Sequence, residues 1–314
     1  MARIQTRNNR REHPAVVVTR GKFLNKKMKV LALVTVAGSV AAMSSMSYAL
    51  PAAAPHKASA AGASDRVGGH PNFSGVWSVM NTANWNIEPH LAVAALELRP
   101  GPVVPVPAKA IVALGAVGSV PAGMGVVEGG KIPYQPDALA KKQDNQKHYL
   151  ERDPEVKCDL PGVPRANYMS MPFQIVQSAK TMLLSYEYDG AVRDILFNDP
   201  GPAPIDSWMG QSVGKWDGDT LVVTVTGQND NTWFDRAGNF HSGDMKVVER
   251  WTLLNENTIR YEAEITDPAT FTRPWKMSML MYRRLGDDAR LQQFKCVEFV
   301  EELLYGDLRK EPLK

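Results

Sequence analysis

Short strand-like segments separated by strong turn signals fill the second half of this sequence. The connections are rich in the Asp, Asn and Gly residues that favour tight turns, as at Asp189-Gly190, Asp217-Gly218-Asp219, Asn255-Glu256-Asn257 and Gly286-Asp287-Asp288. The predicted strands are 173–179, 181–188, 191–197, 212–216, 220–226, 245–254, 258–266, 275–284 and 291–297. Strands at such regular spacing, without alternating helices, indicate an all-β fold, an antiparallel meander forming a β-barrel or a sandwich. A doubly wound nucleotide-binding fold is disfavoured.

The residues before these strands predict three further regions. Lys26, Lys27 and Lys29 precede an apolar run and the small residues around Ala49, which is typical of a secretory signal. We therefore expect a targeting segment over 1–49, a disordered linker over 50–71 and a single barrel domain over 72–314. The apolar run is short for a membrane span, and an uncleaved membrane anchor is the alternative. The predicted location is periplasmic or secreted.

Within the barrel domain, residues 83–131 are rich in Pro, Gly, Ala and Val. Closely spaced prolines at 100, 102, 105 and 107 fit neither a regular strand nor a regular helix, so we predict an irregular flap over the barrel. Residues 136–150 have a proline near their start and many helix formers. They predict a short peripheral helix. Residues 92–98 are the candidate for a second short element, so one or two peripheral helices are expected.

Charge and cysteine content limit the possible partners. The net charge is only +3, and much of the basic excess lies in the predicted targeting segment, so no nucleic-acid partner is expected. In an oxidising compartment Cys158 and Cys296 are expected to form a disulfide, with two separate buried thiols as the alternative. Neither cysteine has the spacing of a zinc site, and no metal is predicted. The chain lacks the phosphate loop, the dinucleotide loop, the serine-hydrolase elbow and the zincin motif, so no cofactor is predicted.

The segment from Gly227 to Trp251 contains the densest mixture of ionisable and aromatic side chains. His241 is the candidate general acid or base, because its ordinary pKa is near 6.5. The alternative is a histidine that stabilises a loop through hydrogen bonds to the backbone. Asp235 either orients this histidine or forms an Asx-turn, as do Asp230 and Asp244.

Strand alternation makes a sharper prediction for Glu249. It shares a strand face with Val247, Trp251 and Leu253, whereas Arg250 lies on the opposite face, where it can pair with Glu262 on the next strand. Glu249 is therefore expected to point into the barrel. A carboxylate there has a raised pKa unless it is paired, and a buried structural salt bridge explains the pattern equally well.

Aromatic and methionine residues on two other strands suggest a ligand site. Tyr186 and Tyr188 share a face with Met182 and Leu184, and a matching stripe follows on a later strand, comprising Trp275, Met277, Met279 and Met281. Methionine adapts to irregular shapes, so these faces are suited to an apolar or aromatic ligand. Ordinary barrel core is the alternative.

Two resemblances follow from short motifs. Gly75-Val76-Trp77 resembles the Gly-x-Trp start of lipocalins and related calycin barrels, which implies that Trp77 packs against Arg283 or Arg284. The second concerns a broad, largely uncharacterised family of secreted bacterial proteins, and implies export and a β-rich fold without a settled reaction. Its motifs are LPGVPR (160–165), PFQIVQ (172–177), WMGQSVGKWDGDTLVV (208–223), WFDRAGNFHS (233–242) and VVER (247–250). Members usually have an aspartate after the HS pair, where this chain has Gly243 and then Asp244.

Together these features predict an exported, lipocalin-like barrel that handles an apolar or aromatic small molecule. The first hypothesis is a cofactor-independent lyase, hydratase or isomerase with catalytic residues His241, Glu249 and Asp235. Its substrate-binding residues would be Tyr186, Tyr188, Trp233, Arg250 and Trp251. The alternative is a non-catalytic periplasmic carrier for a hydrophobic ligand. The concentration of ionisable groups in one loop favours the enzyme.

Overall fold

The strands of this protein close into a nine-stranded barrel. The computed structural model describes residues 66–94 and 119–308, all within one compact unit of the chain, Pro55–Lys314. A small hairpin of β1 (Arg66–Val67) and β2 (His70–Pro71) precedes the barrel. The barrel strands are β3 (Gly75–Val79), β4 (Phe173–Gln177), β5 (Thr181–Tyr186), β6 (Val192–Leu196), β7 (Gln211–Asp217), β8 (Thr220–Thr226), β9 (Lys246–Asn255), β10 (Thr258–Thr266) and β11 (Trp275–Arg283). Each strand pairs with the next in sequence and β11 pairs with β3, which confirms the predicted all-β barrel and its meander order.

One pair of barrel strands departs from the antiparallel prediction. β6 and β7 are parallel, with Ile195 opposite Ser212 and Leu196 opposite Val213. The reason is geometric: when an odd number of strands closes into a ring, their directions cannot alternate at every step. One parallel pair must remain, and its connection, residues 197–210, has to run from one end of the barrel to the other.

Among the described residues, three α-helices lie outside the strand pattern: α1 (Pro136–Lys147), α2 (Tyr149–Arg152) and α3 (Val300–Tyr305). Together α1 and α2 cover the predicted peripheral helix, and Pro136 occupies the start of α1, where a missing backbone donor costs nothing. In the described part of the chain, no helix has the length and apolar character needed to cross a membrane.

Several predicted boundaries change. Residues 291–297 form no strand, because the barrel is already closed by nine strands and offers no free edge for another. Within the predicted linker, residues 66–71 form the β1–β2 hairpin instead. The targeting segment, the rest of the linker and residues 95–118 of the flap lie outside the described residues. The two described ends of the flap pair with each other at His90–Gly123 and Val93–Val120.

The two ends of the barrel differ in their connections. One end has the short turns that join β4 to β5, β7 to β8 and β9 to β10. At this end the Arg283 guanidinium lies 4.3 Å from the centre of the Trp77 ring, the contact that the Gly-x-Trp resemblance implies. The other end has the long connections 80–172, 227–245 and 267–274 together with the β5–β6 turn. Apart from Arg250, the candidate site residues belong to this loop-rich end or to the barrel interior.

Candidate functional site

Glu249 lies inside the barrel, as strand alternation predicts. Its side chain is fully buried and its carboxylate accepts hydrogen bonds from the Tyr261 hydroxyl (2.8 Å), the Asn167 amide (2.9 Å) and the Arg193 guanidinium (3.1 Å). A second guanidinium nitrogen of Arg193 binds the other carboxylate oxygen. Both carboxylate oxygens therefore have donors, and the group is a paired ion.

Arg193 is the partner that the sequence reading missed. It lies on β6, and its third nitrogen, Nε, donates to the hydroxyl of Ser212 on β7 at 2.8 Å. Burial acts to lower the pKa of Arg193, but the neighbouring Glu249 charge outweighs this effect and raises the pKa. The ion pair thus spans the barrel from β6 to β9, and of the two open explanations for Glu249 the geometry matches the buried structural salt bridge.

A short turn of 3-10 helix, Arg165–Tyr168, closes the loop-rich end of the barrel over this ion pair, and we call it the plug turn. Asn167 reaches inward to Glu249, and its carbonyl oxygen accepts a 2.8 Å hydrogen bond from Tyr186. Arg165 points the other way and binds both oxygens of Asp153, at 2.7 and 3.0 Å. All four plug residues are buried.

His241 is also buried, and both of its ring nitrogens have partners. Nε2 lies 2.6 Å from the Thr232 hydroxyl and Nδ1 lies 2.8 Å from the backbone oxygen of Ser242. A backbone oxygen can only accept, so Nδ1 carries the proton and Nε2 accepts from Thr232. Burial lowers the pKa of His241. The histidine is therefore neutral and stabilises the loop, which matches the structural alternative given for it.

Asp235 shapes the same loop. Its carboxylate accepts hydrogen bonds from the backbone of Ile87 (2.8 Å), Ala237 (2.9 Å) and Asn239 (3.2 Å), and from the Asn239 side chain (2.6 Å). Burial raises the pKa of Asp235 to about 6, while the bonds from Ile87 and Asn239 act in the opposite direction. No hydrogen bond or ion pair between the described residues joins Asp235 to His241. The predicted catalytic residues are thus not assembled into one site.

The predicted substrate-binding residues are distributed over several environments. Trp251 is fully buried in the barrel, with its ring edge-on to Tyr261 at 5.0 Å, and Tyr186 is part of the ion-pair network. Trp233 is buried in the loop, in a bridge with Phe240. Arg250 lies on the outer surface and pairs with Asp217 at 2.9 Å, although its backbone is in register with Glu262. Arg250 therefore faces away from the barrel interior, on the side of β9 opposite Glu249, as strand alternation predicts.

Tyr188 lines a pocket. Its ring stacks on Phe294, with centroids 5.6 Å apart, and its hydroxyl binds the backbone oxygen of Glu155 at 3.0 Å. We call this cavity the tail pocket, because one of its walls is formed by residues 294–297 and 299–302 near the C-terminus. Its volume is about 280 Å³, and its apolar walls are formed by Leu150, Val156, Met171, Tyr188, Phe294 and Phe299.

The disulfide between Cys158 and Cys296 holds the two walls of the tail pocket together. It confirms the predicted pairing and brings chain segments 138 residues apart into contact. The backbone of Phe299 also donates a 2.7 Å hydrogen bond to Val156 across the same junction. The expected disulfide was therefore the one sequence signal that these segments meet, although the sequence reading placed no site between them.

Charged groups occupy one side of the tail pocket. Arg236 donates to Glu301 at 3.3 Å and lies 3.6 Å from Glu155. Burial acts to lower the pKa of Arg236, but the carboxylates of Glu155 and Glu301 outweigh it and raise the pKa. The pocket is thus apolar over most of its surface and ionic at one side, the general form of a small-molecule site.

Two other cavities are less suited to a ligand of the predicted kind. A groove of about 400 Å³ on the outer face of β7 and β8 is lined by side chains such as Lys215, Thr224 and Thr226, and has no aromatic wall. A shallow depression beside the flap is lined by six residues that include His90 and Met124. Within the described residues, 66–94 and 119–308, no group of three or more His, Cys, Asp or Glu side chains is placed to hold a metal ion.

Comparison of the chain with protein-family models, with curated proteins and with solved structures finds no match.

Proposed function

We propose that this protein binds a small apolar or aromatic molecule in the tail pocket and carries it without changing it. The observation that supports this proposal is the pocket itself, an apolar cavity with stacked aromatic rings and a charged side. Ligand sites in proteins have this composition, with a few polar groups to orient the ligand. Tyr188, expected from the sequence to bind a ligand, forms part of its wall.

The geometry gives less support to the lyase, hydratase or isomerase hypothesis. His241 and Glu249 bind different partners, and each is almost fully buried. A general base must be within hydrogen-bond reach of the proton that it takes. Both ring nitrogens of His241 are hydrogen-bonded, to Thr232 and to Ser242. Both carboxylate oxygens of Glu249 accept from Arg193, so a substrate would have to compete with these partners.

An apolar fluorescent probe tests the binding proposal. N-phenyl-1-naphthylamine should show a saturable fluorescence increase with the wild-type protein, and Met171→Trp and Val156→Trp, which fill the tail pocket, should abolish it. Ile205→Trp is the matched control, because Ile205 is 77% exposed and lies elsewhere. Circular dichroism and thermal unfolding establish that each variant is folded. Equal probe binding by both filled variants and the wild type would overturn the proposal.

A second experiment separates the carrier from the enzyme. Native mass spectrometry of the protein purified from its source identifies a bound compound, which is then incubated with the wild type, His241→Gln and Glu249→Gln. A carrier leaves the compound unchanged in all three samples. Conversion by the wild type that is lost in the variants would establish the enzyme instead.

A further inference from the structure

We infer that the ligand of the tail pocket is an aromatic compound with a hydroxyl group. This hydroxyl would accept a hydrogen bond from Arg236 and donate one to Glu301. This inference rests on the proposed binding function and adds the chemical class of the ligand. It depends on two features of the pocket, the aromatic wall and a pair of buried polar atoms beside it.

The aromatic wall favours a flat ligand. Tyr188 and Phe294 are stacked at an interplanar angle of 29°, and both line the cavity. Aromatic rings prefer offset-stacked or edge-to-face neighbours, and such contacts add to the free energy of apolar burial. A volume of about 280 Å³ is at the small end for ligand pockets, which suits a compound of one or two rings.

Two polar atoms at the charged side have no hydrogen-bond partner among the described residues. They are Nε of Arg236 and Oε2 of Glu301, and both are buried from solvent. The Arg236 Nε lies 3.6 Å from Glu155, which is an ion-pair distance but too long for a hydrogen bond. The two side chains lie beside each other, because another nitrogen of Arg236 binds the second oxygen of Glu301 at 3.3 Å. One donor and one acceptor are therefore available together.

A hydroxyl group satisfies both atoms at once, since it donates one hydrogen bond and accepts another. An ether accepts only, an ammonium group donates only, and a carboxylate ligand meets repulsion from Glu155, Glu301 and Glu302, which line this side. Leaving a buried donor or acceptor unsatisfied is unfavourable, so a ligand that satisfies both gains affinity over one that satisfies neither.

Four ligands with a common ring system test this inference by displacement of N-phenyl-1-naphthylamine. Naphthalene has no hydrogen-bonding group, and 2-methoxynaphthalene can only accept a hydrogen bond. The ammonium group of 2-naphthylmethylamine can only donate, and the hydroxyl of 2-naphthol can do both. We expect 2-naphthol to bind about tenfold more tightly than naphthalene, with the other two between them. In Glu301→Ala this preference should fall below about threefold, because the acceptor is lost, while naphthalene binds as before.

Glu298→Ala is the matched control, because Glu298 is exposed and lies in the same segment, outside the pocket wall. It should keep the full preference for 2-naphthol. Equal affinity for all four compounds, or a preference that survives in Glu301→Ala, would overturn the hydroxyl inference and leave the binding function standing. Failure of the probe and of all four compounds to bind would overturn the binding function as well.

Discussion

Arg193 on β6 and Glu249 on β9 form an ion pair across the interior of the barrel, with side-chain exposures of 1% and 0%. Ser212, Tyr261 and Asn167 supply the other hydrogen bonds of the two groups. Such a pair stabilises a fold only as long as both charges are present, because either one alone is a buried, unpaired ion. The pair also helps to fix the position of the plug turn, since the Asn167 amide donates a hydrogen bond to Glu249.

Removing one member of this pair should be costly, and removing both should be less so. Glu249→Leu and Arg193→Met should each lower the free energy of unfolding by about 3–5 kcal/mol, and the double variant should recover much of that loss. Urea unfolding followed by tryptophan fluorescence measures all four proteins. Arg250→Ala, which removes the half-exposed surface pair with Asp217, should cost less than about 1 kcal/mol. Additive single losses in the double variant would show that the two residues act independently.

Gly162 lies where the plug turn meets the 227–245 loop, and this close contact requires a glycine. Its φ is +70°, and an added Cβ would lie 2.7 Å from the Thr232 hydroxyl oxygen and 2.9 Å from the Gln228 amide oxygen. Gly162→Ala therefore combines backbone strain with a steric clash, and we expect a loss of about 3 kcal/mol in unfolding free energy.

Gly190 provides the matched control for this substitution. Its φ of +63° is nearly the same, but nothing lies within 4 Å of an added Cβ. Gly190→Ala should therefore show the strain alone, about 1 kcal/mol, in the same unfolding experiment. If the two variants are equally stable, the chain at Gly162 does not pack against the loop 227–245 as closely as the structure indicates.

Strand alternation predicted the direction of Glu249 because a strand has a period of two, and this local rule does not depend on the neighbouring strands. The same rule places Arg193 on the inward face with Ile195, yet its pairing with Glu249 depends on the closure of the barrel, which a single strand does not contain. The composition of the loop 227–245 leaves two interpretations open for His241 and Asp235, as reactive groups or as residues that stabilise the loop. Their burial and their hydrogen bonds within the loop match the second interpretation.

The tail pocket could not be predicted in the same way. Its walls include Leu150, Glu155 and Val156 on one side and residues 294–297 and 299–302 on the other, far apart in sequence. The sequence predicts a strand over 291–297. Their strand-like composition is a local property, but a closed barrel leaves no edge for them, and the disulfide places them instead. Long-range constraints of this kind determine where chain segments meet. The periodicity of a single segment does not predict such contacts.

His241 should make the stability of the protein depend on pH. Burial lowers its pKa in the folded state below the value of about 6.5 expected for the unfolded chain. As the pH falls below about 6.5, the unfolded state takes up a proton that the folded state does not, so the folded state loses stability. The difference in unfolding free energy between the wild type and His241→Gln should therefore be constant above about pH 7.5.

Below about pH 6.5 that difference should shrink by up to about 1.4 kcal/mol per pH unit. Urea unfolding of both proteins at about six pH values between about 5 and 8 measures this difference in unfolding free energy. Glutamine keeps an acceptor for the Thr232 hydroxyl but does not titrate, so the comparison isolates the protonation of His241. A difference that grows as the pH falls would mean that the folded protein favours the charged imidazole.

Reduction of the disulfide should release the wall of the tail pocket while the barrel persists. Cys296 lies in the chain after β11, and none of the nine barrel strands contains a cysteine. By the chain-entropy model, closing a loop with a sequence separation of 138 residues stabilises the fold by up to about 5 kcal/mol. Cys158→Ser/Cys296→Ser should therefore unfold at lower urea concentration, yet show the β-sheet circular dichroism of the wild type in buffer.

The affinity of this double variant for N-phenyl-1-naphthylamine should fall at least about tenfold, because Phe294 and Phe299 no longer have a fixed position against Tyr188 and Val156. Addition of a reductant to the wild type should produce the same loss, and Ile205→Trp, treated in the same way, controls for effects outside the pocket. Unchanged probe affinity in the folded double variant would show that the tail residues keep their position without the covalent bond.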